Sequence, residues 1–200
     1  MSRSLRVLAG LTAGFLAAAS APAFAGNPYA VDPGQYAATA TVGTDGRPLE
    51  SAIPRQMVAY EGPYDDAPGT IVISTELRRL FLVMPNKEAL MYGVGVGRPG
   101  FEWSGEKRIT AKREWPDWTP PAAMIKRRPD LPRHMAGGIE NPLGARAMYL
   151  GSSEYRIHGS NEPDTIGQAV SSGCIRMTNE DVADLYERVK VGARAVVLPN

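Results

Sequence analysis

The stretch "RIHGSNEPDTIGQAVSSGCIRMTNEDVADLY" (residues 156–186) holds one of the chain's two histidines, its only cysteine and its clearest helix signal. The helix reads over 178–190, "TNEDVADLYERVK". Thr178 is the candidate N-cap, with Asp181 three residues on in a capping-box pattern. Glu180 and Asp181 suit the positive end of the helix dipole. Val182, Leu185, Tyr186 and Val189 recur at i, i+3, i+4 and i+7, which makes one apolar face, and Gly192 is the expected stop. Upstream, "YRIHG" (155–159) reads as a short strand ending at His158-Gly159. Cys174 follows His158 by 16 residues, in the loop before the helix. A strand end and a pre-helix loop can face each other across one edge of a small sheet.

The rest of the chain is rich in short strand signals. "GTIVIST" (69–75) and "RRLFLVMP" (78–85) suggest a hairpin, although Glu76-Leu77 is a poor two-residue turn. "ALMYGVGVG" (89–97), "ARAMYLG" (145–151) and "ARAVVLP" (193–199) are further runs. Many short strands punctuated by Gly and Pro predict a mainly β fold, a sandwich or barrel. Residues 97–144 hold all three tryptophans, several prolines and many basic residues. So long a gap is functional or disordered, and the aromatics argue for order. It reads as an ordered excursion, either the wall or lid of a cleft or a loop that Trp115 and Trp118 pin to the core.

The first 25 residues have a basic start (Arg3, Arg6), an uncharged run (Val7 to Ala19) and a small-x-small pattern at Ala23-Phe24-Ala25. These are the parts of a secretory signal peptide, and the run is short for a retained membrane span. Its removal would leave 175 residues, enough for one domain, and would take the net charge from +1 to −1. A near-neutral protein does not read as a nucleic-acid binder. Residues 26–68 show no clear period and read as an extended lead-in. One cysteine allows no internal disulfide.

Little chemistry competes with the thiol. Two histidines and one cysteine are a thin soft-ligand set, and no carboxylate–histidine cluster completes a metal site. A Gly-x-Ser-x-Gly motif and a phosphate-binding loop are absent, and "GVGVG" (93–97) lacks the spacing of a dinucleotide site. An imidazole beside a thiol draws off its proton and leaves the thiolate nucleophile. Gly173 permits a tight turn, so the amides of Gly173 and Cys174 could point at a developing oxyanion. The residues alone leave a second reading open, a buried structural cysteine and a core histidine.

These residues carry a resemblance. His158-Gly159, a spacer, Ser171-Ser172-Gly173-Cys174, then Ile175, Arg176 and Asn179 before a helix resemble the signature of the L,D-transpeptidases, the YkuD-domain family of cell-wall enzymes. The likeness extends more weakly over 69–198, including "GVGVGRPGFEWSG" and "EWPDWTPP". The implied organisation is a signal peptide over 1–25, an N-terminal extension over 26–68 and a catalytic domain over 69–198. The implied fold is a β-sandwich with the cysteine in a deep groove. The resemblance implies Cys174 as nucleophile, His158 as its base and the Gly159 carbonyl as the group that orients the imidazole, with no acidic third member. Ser172 and Gly173 fall to the oxyanion and substrate-binding part of the site. Arg176 either shapes the groove, pairing with a carboxylate, or braces the loop through a local ion pair.

The reaction so implied is acyl transfer on peptidoglycan stem peptides without metal or cofactor, in the periplasm or cell envelope. Attack at the third residue releases D-alanine, and an amine of a second stem takes the acyl group in a 3–3 cross-link. Water or a lipoprotein lysine is an alternative acceptor, and acylation by carbapenems is expected. Sortases place their arginine well beyond the cysteine, and papain-like peptidases place Cys before His. A non-enzymatic wall-binding module is the other rival, against which the intact His158–Cys174 pair argues.

Overall fold

The computed structural model describes residues 53–62 and 67–199. The expected signal peptide and most of the expected extension lie outside the described residues. The strands are β1 (Gln56–Ala59), β2 (Ile71–Ser74), β3 (Arg79–Met84), β4 (Glu88–Gly93), β5 (Val96–Gly97), β6 (Gly105–Glu114), β7 (Arg146–Leu150), β8 (Arg156–His158), β9 (Ala169–Ser171), β10 (Ile175–Arg176) and β11 (Arg194–Val197). Two α-helices join them, α1 (Ala122–Arg127) and α2 (Asn179–Arg188). Nine strands form one sheet in the order β1-β4-β3-β2-β11-β6-β7-β8-β10, and β5 pairs with β9.

The hairpin β2–β3 is buried on both faces, which explains its unbroken apolar runs. Alternation sends Ile71, Ile73, Leu80 and Leu82 into the main core and Val72, Phe81 and Val83 into a second cluster with Tyr60, Ala89 and Met91. Its turn is Thr75–Arg78, wider than two residues, with Arg78 at φ 55 and the Leu77 amide on Ser74 Oγ.

Strand β6 turns the sheet. Its first part pairs with β11 and its second with β7, with a register shift between Ile109 and Ala111. The core then gathers side chains from both wings and from α2: Tyr92, Ile109, Met148, Ile157, Ile175, Val182 and Leu185. Thr178 Oγ1 accepts the Asp181 amide at 3.1 Å and caps α2. Lys112 of β6 donates to the carbonyls of Tyr186 and Val189 and so ties down its C-terminus. Burying Val182 and Leu185 contributes about 2 kcal/mol each and seats the helix that follows the cysteine loop.

Four expectations change. Residues 97–144 are not one excursion, because 105–114 within them form the sheet's longest strand. Only Ile109 of those ten is fully buried, so the sequence shows no apolar alternation there. In the remaining 115–144, Trp115 is 45 % exposed and does not pin the loop to the core. The buried Asn141 does the holding, donating to the Pro116 and Ala136 carbonyls and accepting from the Leu143 amide. Gly192 (φ 93) does not stop α2, which ends at Arg188; its amide bonds Ile109 O at 2.7 Å and starts the turn into β11. Within the expected extension, Gln56–Ala59 is an edge strand of the main sheet.

Candidate active site

The last two strands of the sheet bring the site together. β8 and β10 run parallel, with Ile157 opposite Ile175 and His158 opposite Arg176. Cys174 therefore lies one step before β10, diagonal to His158 at roughly 8 Å between Cα atoms for strands of ordinary spacing. With period 2, Cys174 and Arg176 share the sheet face on which Arg156 and His158 stand.

His158 is buried, and its Nδ1 lies 2.6 Å from the Gly159 carbonyl. A carbonyl only accepts, so Nδ1 carries the proton. Burial first, then the charge of Arg176, hold the imidazole well below the usual histidine range, at about 3, while the Gly159 carbonyl pulls the other way. At neutral pH the ring is thus uncharged and its Nε2 lone pair is open to a proton. The Cys174 thiol is pushed up by burial, against Arg156 and Arg176, which pull it down. The resting pair is a neutral thiol and a neutral imidazole. Sγ contacts the Glu154 carbonyl at 3.8 Å and makes no hydrogen bond with the His158 ring.

The cysteine loop is built around Ser171 rather than the expected Ser172. Ser171 Oγ donates to the Cys174 carbonyl at 2.6 Å and accepts the Gly173 amide at 3.1 Å. The Gly173 amide is thereby taken and does not point at an oxyanion. The Cys174 amide has no acceptor among the described residues. Gly173 sits at φ 105, and a Cβ there would come within 2.6 Å of the Tyr155 ring. Its carbonyl accepts from Trp103 Nε1 at 2.8 Å, and Trp103 stacks on Tyr155 with ring centres 4.7 Å apart. Ser172 Oγ accepts from Arg98, whose guanidinium lies 4.0 Å over the Phe101 ring. Arg98, Phe101, Trp103 and Tyr155 thus form one wall of the loop.

Arg176 makes the local brace, to Glu162 at 2.9 Å and to Thr165 Oγ1 at 3.4 Å, both in the segment between His158 and Cys174. Asn179, at the start of α2, accepts the Ala145 amide at 2.8 Å. A Cβ on Gly159 would lie 2.3 Å from that same Asn179 Oδ1, so glycine alone lets the chain after His158 pass. The glycines of "GVGVG" lie in the β4–β5 region, where Gly95 exchanges backbone bonds with Arg176. A dinucleotide fingerprint needs a strand-to-helix turn at that point.

Comparison with known proteins identifies the family. The model of the L,D-transpeptidase catalytic domain, YkuD, matches residues 68–197. Escherichia coli YbiS, named as a probable L,D-transpeptidase, is 32 % identical over 150 residues, 71 % of this chain and 47 % of that protein. Escherichia coli ErfK/SrfK, named likewise, is 33 % identical over 153 residues, 73 % of this chain and 48 % of that protein. The chain spans about half the length of these curated relatives. The structure of L,D-transpeptidase 3 from Mycobacterium tuberculosis superposes with a TM-score of 0.54 at 16 % identity, covering 65 % of this chain and 60 % of that one. A Brucella melitensis structure named as a probable carnitine operon oxidoreductase is 46 % identical with a TM-score of 0.50, covering 75 % of this chain and 96 % of that one. The chain belongs to the L,D-transpeptidase (YkuD) catalytic-domain family, a family of acyltransferases.

Proposed function

We propose that this protein is an exported cell-wall L,D-transpeptidase, with residues 1–25 as its signal peptide and 69–198 as its catalytic domain, acting in the periplasm or cell envelope. On substrate binding the Cys174 thiol leaves the Glu154 carbonyl and gives its proton to His158 Nε2; such bonds are often open before substrate binds. Sγ attacks the carbonyl of the third residue of a stem tetrapeptide. The oxyanion is met by the Cys174 amide, which is unmatched among the described residues. The C–N bond to D-alanine breaks, and the imidazolium returns the proton to the leaving amine. A thioester remains on Cys174. A side-chain amine of a second stem attacks it, forms a 3–3 cross-link and restores the thiol. Ser172 lines the donor groove, and Arg176 braces the segment between His158 and Cys174 beside it. A lipoprotein lysine or water would follow the same route as acceptor.

The observation that carries this reading is the His158 ring, buried, neutral and committed through Nδ1 to Gly159 O, one strand from the chain's only thiol. A Mycobacterium tuberculosis family member has been solved with a faropenem-derived adduct, which supports the choice of probe. Incubation with imipenem should give one adduct per chain by intact mass, absent in Cys174→Ala. A well-folded wild type that forms no adduct would overturn the reading. Purified tetrapeptide stems then separate the acceptors: a cross-linked dimer supports transpeptidation, and D-alanine release without dimer supports hydrolysis.

A further inference from the structure

Arg156 faces the thiol, and the steps above give it no part. The β8–β10 register sets Arg156 opposite Cys174, one step back from the Ile157–Ile175 pair. The guanidinium and the thiol meet at one oxygen: Arg156 Nη1 donates to Glu154 O at 2.8 Å, and Cys174 Sγ contacts the same atom at 3.8 Å. The guanidinium is kept there by the Tyr149 ring, 5.2 Å from its carbon. Its Nε is buried and has no acceptor. A guanidinium does not lose its proton, so this is a permanent unmatched donor. Such an orphan calls for an explanation, and an acceptor that forms during turnover supplies one.

The anion that forms beside Arg156 is the thiolate itself. Burial raises the Cys174 thiol, and foremost among the groups that oppose it are the Arg156 backbone N–H and guanidinium, with Arg176 behind them. The other charged groups around the loop have partners elsewhere. Arg176 of β10 is paired with Glu162, Arg98 is bonded to Ser172, and Lys107 of β6 lies over Trp103 and Tyr155. His158 of β8 is uncharged at rest. We propose that Arg156 holds the Cys174 thiolate, its backbone amide and guanidinium donating to Sγ once the S–H proton has passed to His158 Nε2. The S–H bond breaks, an N–H bond forms at Nε2, and the electron pair stays on Sγ. An arginine on the neighbouring strand then compensates for a histidine too weakly basic to form a resting ion pair. This rests on the reading of Cys174 as nucleophile.

The test is the pH–rate profile for alkylation of Cys174 by iodoacetamide, a neutral reagent, in the wild type, Arg156→Gln and Arg156→Lys, each checked by thermal melting. The Gln variant should move the inflection up by about one unit and slow alkylation at pH 7 about tenfold. The Lys variant keeps the charge without the fork and should move it about half a unit. Where Gln does not fold, the Lys shift decides. Inflections equal to the wild type overturn the proposal. So does a loss seen only with iodoacetate, which would make Arg156 an attractor of anionic reagents. Alkylation reads the thiolate and not acyl transfer. A shifted profile without an imipenem adduct would therefore sink the proposed function alone, and an adduct with an unshifted profile would sink this inference alone.

Discussion

Gly159→Ala tests the site where packing and chemistry meet. The added Cβ would lie 2.3 Å from Asn179 Oδ1, 3.1 Å from the Ala145 amide and 3.2 Å from Val182 Cγ1. The Asn179 oxygen must retreat by about 1 Å to reach ordinary contact. That breaks its 2.8 Å bond to the Ala145 amide and leaves a donor unmatched, a cost of about 1–3 kcal/mol. Alanine recovers about 0.4–1 kcal/mol by restricting the unfolded chain. The net loss is about 1.3 kcal/mol, or about 4 °C in melting temperature for a chain of this size. The same carbonyl holds His158 Nδ1 at 2.6 Å, so the ring tilts as the backbone shifts. A displacement of that order can cost about a hundredfold in rate. Thermal melting and the rate of imipenem acylation give the two readouts. Asn179→Ala removes the obstructing oxygen, so the double variant should be less destabilised than the two single losses added together. Wild-type melting and acylation in Gly159→Ala, or strict additivity in the double variant, would show that Asn179 and Gly159 are not coupled in this way.

Two further outcomes follow from the same geometry. Trp103→Phe keeps a ring against Tyr155 but removes the donor to Gly173 O, and should cost about 1 kcal/mol and loosen the cysteine loop; hydrogen exchange across 171–174 no faster than wild type would count against it. Asp181 is raised by burial from 3.8 to about 6, with Arg55 and Thr178 opposing the rise. The folded state then holds this proton more tightly than the unfolded one, so stability falls as pH rises from about 4 to about 6, by up to about 3 kcal/mol. Asp181→Asn should flatten that part of the denaturant-midpoint curve, and coincident curves would remove Asp181 as the cause.

What could be read from the sequence is what is local along the chain. The apolar runs of β2, β3 and β4 carry their own signal because both faces of these strands are buried, which leaves the runs unbroken. Helix α2 announces itself by Thr178 and its apolar stripe. The His158-Gly159 and Ser171-to-Arg176 segments hold their residue types in fixed order, so a family likeness picks them out. Strand β6 was not legible, because its side chains are mostly exposed and its place in the sheet comes from backbone bonds to β11 and β7. Strand β1 was missed for a similar reason, with every second residue exposed at an edge.

The electrostatic state of the site is a tertiary property. Trp103 reaches Gly173 across 70 residues and Arg98 reaches Ser172 across 74, and no spacing rule links them. Ser171 and Ser172 are equivalent as letters, yet only the folded loop sends the Ser171 hydroxyl inward to take the Gly173 amide. Order along the chain is enough to put a lone thiol before a helix and an imidazole at a strand end. Folding is what leaves both uncharged at rest and turns two arginines from adjacent parallel strands toward them. The difference is one of range: secondary-structure and motif signals are set by neighbours along the chain, whereas burial and charge at a site are set by whatever the fold packs against it.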